Sequence, residues 1–344
     1  MQKASGWPEV SIIVPVHNGG ESFRKCLQSL NQWALERAEV IVVADGASDG
    51  SWQLAEPFGA KLIRLPETQG PARARNIGAE AAEADILFFV DADVTIHPNT
   101  VDGVIRAFQA NPELAALIGS YDDAPGATNF LSQYKNLFHH YTHQGGHEEA
   151  STFWGACGAV RREIFLSLGG FDQRFRKPCI EDIELGYRLK QAGYQIRLCK
   201  AIQVKHLKHW TPYSLLRADI FYRALPWTAL LLQLRQTDPQ QYQQVSRDLN
   251  LKSSSRLSVV LVYAAIASLL FVWWWPTALL GAGLLSLVLV LLNWPVYRFF
   301  YQQRGFWFAL GVIPWHWLYY FYSGLAFAIG HLRYQIWGYQ LAKG

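Results

Sequence analysis

The sequence predicts an α/β domain built on a mostly parallel sheet, followed by C-terminal transmembrane helices. Three observations carry this. Up to about residue 250, short β-branched runs alternate with stretches of helical spacing. The apolar runs end, one after another, in polar residues, as strands do at the ligand-binding edge of an open α/β sheet. Beyond Arg256 the chain becomes apolar over lengths suited to a bilayer.

The elements follow in order. Val10 to Val16 is continuous and β-branched, a buried strand, and His17-Asn18-Gly19-Gly20 is its turn. Glu21 to Leu35 places Phe23, Leu27, Leu30 and Ala34 on one helix face. Glu39 to Ala44 is a second buried strand and ends at Asp45-Gly46-Ala47-Ser48-Asp49-Gly50. Ala60 to Leu65 is a third. Pro71 to Ala84 is alanine-rich and helical, Ile86 to Val90 is a fourth strand, and Ala115 to Tyr121 reads as a fifth. Strand, helix and strand at this rhythm imply right-handed crossovers.

The fourth strand runs into Asp91-Ala92-Asp93. Side chains alternate along a strand, so both carboxylates point the same way if extended geometry persists. Such a pair suits a hard divalent cation that bridges phosphates. A solvated acidic turn is the bland alternative. Nearby, Ala72-Arg73-Ala74-Arg75-Asn76 opens a helix, where backbone N–H groups and guanidinium receive anions.

Pro15-Val16-His17-Asn18, Asp45 to Gly50, Ala74-Arg75-Asn76 and Asp91-Ala92-Asp93 together resemble the motif set of family-2 glycosyltransferases of GT-A fold. The likeness continues through Gly169-Gly170-Phe171-Asp172 and Glu181-Asp182-Ile183-Glu184-Leu185-Gly186-Tyr187-Arg188-Leu189, covering roughly residues 10 to 210. Ala44 and Ala47 depart from the common pattern, as does Cys157, where many relatives carry Asn. Gln303-Arg304-Gly305-Phe306-Trp307 is only a superficial echo of the Q-x-x-R-W signature of processive relatives, which implies one sugar per acceptor.

The resemblance implies a nucleotide-sugar donor, with a UDP-sugar foremost. Asp45 would accept from the base, with Pro15, His17 and Asn18 bordering that pocket. Arg75 would approach the nucleotide or diphosphate, Asp91 the ribose, and Asp93, with Asp91, the metal, Mg²⁺ or Mn²⁺. Asp182, with Glu181 beside it, would be the general base of an inverting transfer. An acidic first helical turn favoured by the dipole is the alternative for that pair. His206 would close on the diphosphate. His139, His140, His143 and His147 lie in or just after a helix expected over Thr128 to Gln144. They read as flanks of an amphipathic helix, acceptor-pocket lining or metal ligands.

The 344 residues are 51% hydrophobic with a net charge of +4, and the scattered Lys and Arg form no nucleic-acid motif. Cys26, Cys157, Cys179 and Cys199 have no paired spacing and read as reduced cytosolic thiols. No signal peptide is expected at the N-terminus. The domains divide as a catalytic domain over 1–210, an interfacial amphipathic helix and linker over 211–255, and a transmembrane part over 256–344. Pro212 to Leu234 is the interfacial helix, with Arg217 and Arg223 among its apolar residues; a helix packed on the domain is the alternative. Spans are expected at about 257–275, 277–294 and 306–330, with a kink at Pro314. Arg247, Lys252 and Arg256 precede the first span, and Arg298 and Arg304 follow the second. Positive residues favour the inside, so the catalytic domain faces the cytoplasm of a multi-pass inner-membrane protein. Arg333 and Lys343 oppose that rule unless the third segment is re-entrant.

Anchoring beside the bilayer implies a lipid or lipid-linked acceptor. Two other readings stand beside this one. One is a polyprenyl-phosphate glycosyltransferase, whose anionic acceptor needs no base. The other is a non-catalytic sugar-nucleotide-binding membrane scaffold.

Overall fold

The computed structural model describes residues 8–34, 37–245 and 253–338. The chain divides into two compact units, with the boundary between Trp210 and Thr211.

The first unit is built on one sheet. Its strands are β1 (Val10–Val16), β2 (Ala38–Asp45), β3 (Lys61–Leu65), β4 (Ile86–Val90), β5 (Val94–Ile96), β6 (Ala116–Tyr121), β7 (Glu149–Ala150), β8 (Cys157–Arg161) and β9 (Ile196–His206). The order is β3-β2-β1-β4-β8-β6-β9-β5, with β7 paired to β9. The β3-β2-β1-β4 half is parallel, as the sequence predicts. Beyond it β8 runs antiparallel to both β4 and β6, and β5 antiparallel to β9. β1, β2 and β4 are continuous apolar runs because both faces are covered. Val10, Ile12, Val14, Phe88 and Val90 join Phe23, Leu27 and Leu30 of α1 (Gly20–Trp33) in one core. The predicted helix end at Leu35 lies outside the described residues.

Four strands carry no clear sequence signal. β5 has three residues and β7 two. β9 is interrupted by Arg197, Lys200 and Lys205, and it bulges. Ile118 faces Leu198 and Ser120 faces Gln203, so Gly119 stands opposite four residues of β9. Only glycine fits there, since a Cβ would lie 2.5 Å from Cys157 Sγ and from the Ile202 carbonyl. The helices α2 (Pro71–Glu80), α3 (Thr100–Ala110), α4 (Phe130–Gln144), α5 (Arg162–Ser167) and α6 (Glu181–Gln191) connect the strands.

The second unit is helical. Its first segment is one continuous helical run, as predicted over Pro212 to Leu234, but it carries a widened turn. The run is α7 (Pro212–Arg217), a π-helical turn over Ala218–Ala224, and α8 (Leu225–Thr237). Pro226 supplies the reason: its ring crowds the carbonyl four residues back and its nitrogen cannot donate, and a widened turn relieves both. Asp219, in that turn, is buried against the Tyr322 hydroxyl (2.7 Å) and Arg223 (2.9 Å). After α9 (Pro239–Val245) come α10 (Ser253–Phe271), α11 (Ala278–Leu292), α12 (Trp294–Arg304) and α13 (Phe306–Trp337).

The three expected spans differ in length and composition. One helix, α10, is long and apolar enough to cross a membrane; α11 and α12 pass the same test only together, bent by 64°. The bend falls at Asn293-Trp294-Pro295, where proline removes a helix donor. Asn293 is buried there, donating to Ser258 Oγ (2.9 Å) and accepting from the Tyr320 hydroxyl (2.7 Å). α13 is diluted by Trp and Tyr, and it continues through Pro314.

Candidate functional site

The polar residues gather where β1, β2 and β4 end. Asn18, just past β1, has a positive φ of 52°, a conformation that Asn tolerates better than most residues. Its Oδ1 accepts from the backbone N–H groups of Ser48 (2.9 Å) and Asp49 (3.2 Å). His17 Nδ1 lies 2.7 Å from the Asp45 carbonyl oxygen. The first two loops are thus tied together, with Pro15 half-buried at the end of β1. Asp45 differs from its expected part as an open base contact. It is buried, and its carboxylate accepts from Gln69 N–H (2.6 Å) and Gly70 N–H (2.9 Å). It therefore holds the loop that starts α2.

Asp91 and Asp93 do not face one partner, contrary to the strand-alternation argument. Extended geometry stops at Val90, and residues 92–93 turn, with Val94 N–H donating to the Asp91 carbonyl (3.0 Å). Asp91 Oδ1 accepts from Arg75 (2.7 Å), whose other terminal nitrogen donates to Glu181 Oε1 (2.9 Å). Arg75 and Glu181 are 5% and 4% exposed. Arg75 is therefore an internal strut and not a free anion receptor. Glu181 is likewise held, its Oε2 accepting from Cys179 N–H (2.8 Å).

Asp93 turns the other way. Its Oδ2 lies 3.5 Å from His206 Nε2, at the end of β9. Pairing of Val94 with His206 and the Leu207 N–H bond to the Asp93 carbonyl (2.8 Å) bring them together. Burial would raise the Asp93 carboxyl, but His206 and Lys208 outweigh it and hold it at about 2. His206 is buried, stacked on Tyr121 at 4.5 Å, with Nδ1 2.6 Å from Asn136 Oδ1. That amide oxygen can only accept, so Nδ1 carries a proton and the ring turns Nε2 toward Asp93. Among the described residues no group of three or more His, Cys, Asp or Glu could hold a metal. Asp93 and His206 are two donors, carboxylate oxygen and imidazole nitrogen, which fit a divalent cation that takes its remaining ligands from phosphate and water.

Asp182 sits in the first turn of α6. Its Oδ1 accepts from Ile183 N–H (2.8 Å) and its Oδ2 from Gly155 N–H (3.1 Å). Burial first, and the Glu181 charge second, push its carboxyl up to about 7.

The histidine cluster divides. His140 Nδ1 lies 2.7 Å from the Tyr121 carbonyl and His143 Nδ1 3.0 Å from the Gly119 carbonyl, so both pin α4 to β6. Burial pushes His143 down to about 4. His139 and Trp154 pack at 4.8 Å, each beside Tyr121, while His147 is exposed. Tyr121, Asn136 and Gly155 were not foreseen. Only their contacts with His206 and Asp182 mark them, and no sequence spacing does.

The family model described as glycosyl transferase family 2 matches residues 11–169, and that of the N-terminal domain of galactosyltransferase matches 135–210. The probable glycosyltransferase YdaM of Bacillus subtilis is 28% identical over 56% of this chain and 49% of its own length. The pre-mycofactocin glycosyltransferase of Mycobacterium tuberculosis is 26% identical over 58% of this chain and 42% of its own. The chain thus spans about half the length of these relatives. In fold it is similar to the mannosyltransferase PcManGT of Pyrobaculum calidifontis in complex with GDP-Man and Mn²⁺. That likeness has a TM-score of 0.57 at 17% identity, covering 97% of this chain and 88% of that one. It is also similar to S. aureus TarS 1-349 in complex with UDP-GlcNAc, with a TM-score of 0.52 at 17% identity and 71% and 72% coverage.

Proposed function

We infer that the chain is a member of glycosyl transferase family 2, whose model matches residues 11–169, with the GT-A fold. On that premise we propose that the chain is an inverting, metal-dependent hexosyltransferase. It moves one sugar from a nucleotide sugar, a UDP-sugar foremost, to a hydroxyl of a lipid or lipid-linked acceptor. The observation that carries this reading is Asp182, a carboxyl raised to about 7 at the sheet's ligand edge. A general base works best with a pKa near the operating pH, and burial with a like charge achieves that here.

Asp182 takes the proton of the acceptor hydroxyl as that oxygen bonds to the anomeric carbon. The bond from that carbon to the diphosphate oxygen breaks on the opposite face, which inverts the configuration. Asp93 and His206 would hold the cation. When bound, it supplies Lewis-acid neutralisation of the leaving diphosphate. Lys208 adds positive charge at that station. Asn18, His17 and Asp45 shape the nucleotide side through the loops they fasten.

Membrane attachment through α10 supports a lipid acceptor. From residue 253 to 338 the charged side chains are arginines 256, 298, 304 and 333, with no Asp or Glu. Arg256 lies near the start of α10, and Arg298 and Arg304 lie in α12, with Arg304 at its end; this supports a catalytic domain on the cytoplasmic face. Arg247, Lys252 and Lys343 lie outside the described residues.

The test is Asp182→Asn, assayed with a nucleotide-sugar panel and lipid extract. Donor affinity is expected to stay near normal while single-turnover transfer falls about 10²–10⁴-fold. Near-normal transfer would overturn the hydroxyl acceptor and favour a phosphate acceptor, which needs no base.

A further inference from the structure

Arg75 fixes two neighbours of Asp182 at once. One is Glu181, bonded at 2.9 Å. The other is Gly155, whose backbone lies on the guanidinium: a Cβ there would be 3.1 Å from Arg75 Cζ. The Gly155 N–H is a donor to Asp182. On its far side Arg75 grips Asp91, and the Phe171 ring centroid lies 5.5 Å from Cζ. Glu181 cannot swing away, because its second oxygen holds Cys179 N–H.

We propose that Arg75 and Glu181 are positioning residues for the base. Their ion pair clamps the first turn of α6 and the Gly155 backbone, so Asp182 keeps one orientation and a fixed negative charge beside it. This rests on Asp182 being the base. The charged groups facing Asp182 are Glu181 on its own helix and Arg75 from α2, with Asp91 beyond the guanidinium. Glu181 favours the protonated form of Asp182 and Arg75 opposes it, with Glu181 the stronger. A buried ion pair is a weak device for stability, and an apolar pair of equal volume often serves better. Its place beside the base gives it a different use.

The base must be ionised, so transfer falls as pH drops through the Asp182 pKa. Glu181→Gln removes the charge and keeps the shape. In the full-length chain its acid limb is expected to move down by about one pH unit, with donor KM unchanged and a plateau rate lowered roughly 3–10-fold as the base weakens. An acid limb unmoved in this variant, with donor KM normal, would overturn the proposal. The double variant Arg75→Met, Glu181→Met covers the case in which the single one fails to fold. A purely structural pair predicts that kcat survives this apolar replacement. The proposal expects kcat to fall at least about tenfold with donor KM held, the signature of a misplaced group. Unchanged kcat would overturn it. Failure of the base reading itself is told apart by Asp182→Asn, which would then keep both its rate and its acid limb.

Discussion

At the scale of single residues, charge decides what each carboxylate does. Asp93 is held near 2 and stays ionised through the physiological range, whereas Asp182 is raised to about 7. Two acids on one sheet edge are thereby pushed apart, one toward holding a cation and one toward moving a proton. Asp93→Ala is expected to abolish Mn²⁺-dependent binding of nucleoside diphosphate in calorimetry, with the melting temperature little changed. Metal-dependent affinity equal to that of the parent would refute the cation station. The sequence made Asp93 and Asp182 stand out as candidates because both lie in short motifs of fixed spacing. It misjudged Arg75, because nothing in Ala74-Arg75-Asn76 says that Glu181 will arrive 106 positions later to occupy the guanidinium. It likewise placed Asp91 and Asp93 on one side by assuming that the strand continued past Val90.

At the scale of elements, the four strands of the parallel half and β6 were legible, and β5, β7, β8 and β9 were not. β1, β2 and β4 are mostly apolar and almost wholly buried, rich in β-branched or aromatic residues, and such runs declare themselves. β9 alternates charge with apolar residues and bulges opposite Gly119, so its pattern is lost. The loop into α2 shows how a backbone position controls a side chain. Gly70 has φ +96°, and a Cβ there would lie 2.4 Å from the Arg176 carbonyl oxygen. The Gly70 N–H holds Asp45. Gly70→Ala is expected to lower stability by about 1–3 kcal/mol through strain and clash, read as a lower urea midpoint. It is also expected to weaken nucleotide binding, because relief of the clash shifts the backbone and draws the residue-70 N–H away from Asp45. A variant as stable as the parent would contradict the conformational requirement.

At the scale of the whole molecule, apolar content predicts three spans; by length and composition one described helix passes as a crossing, and a bent pair passes together. Composition does not see Pro295 break a helix or Asn293 being satisfied by Ser258 and Tyr320. α11 has 15 residues, about 22 Å of helix against a hydrocarbon core of about 30 Å. In a cysteine-labelling scan of intact cells, positions around Arg298 to Arg304 are expected to react only from the cytoplasm, and those around Pro276 only from outside. The reverse pattern would refute the assigned orientation. The pairing of β5 with β9 bears on how the chain is made. Asp93 emerges from the ribosome long before His206, and every motif through Asp182 is already present by Leu189. A chain that stops there looks finished by its signatures, yet it has no imidazole to set beside Asp93. A product of that length lacks β9 altogether, the strand that pairs with β5 and carries His206 to Asp93.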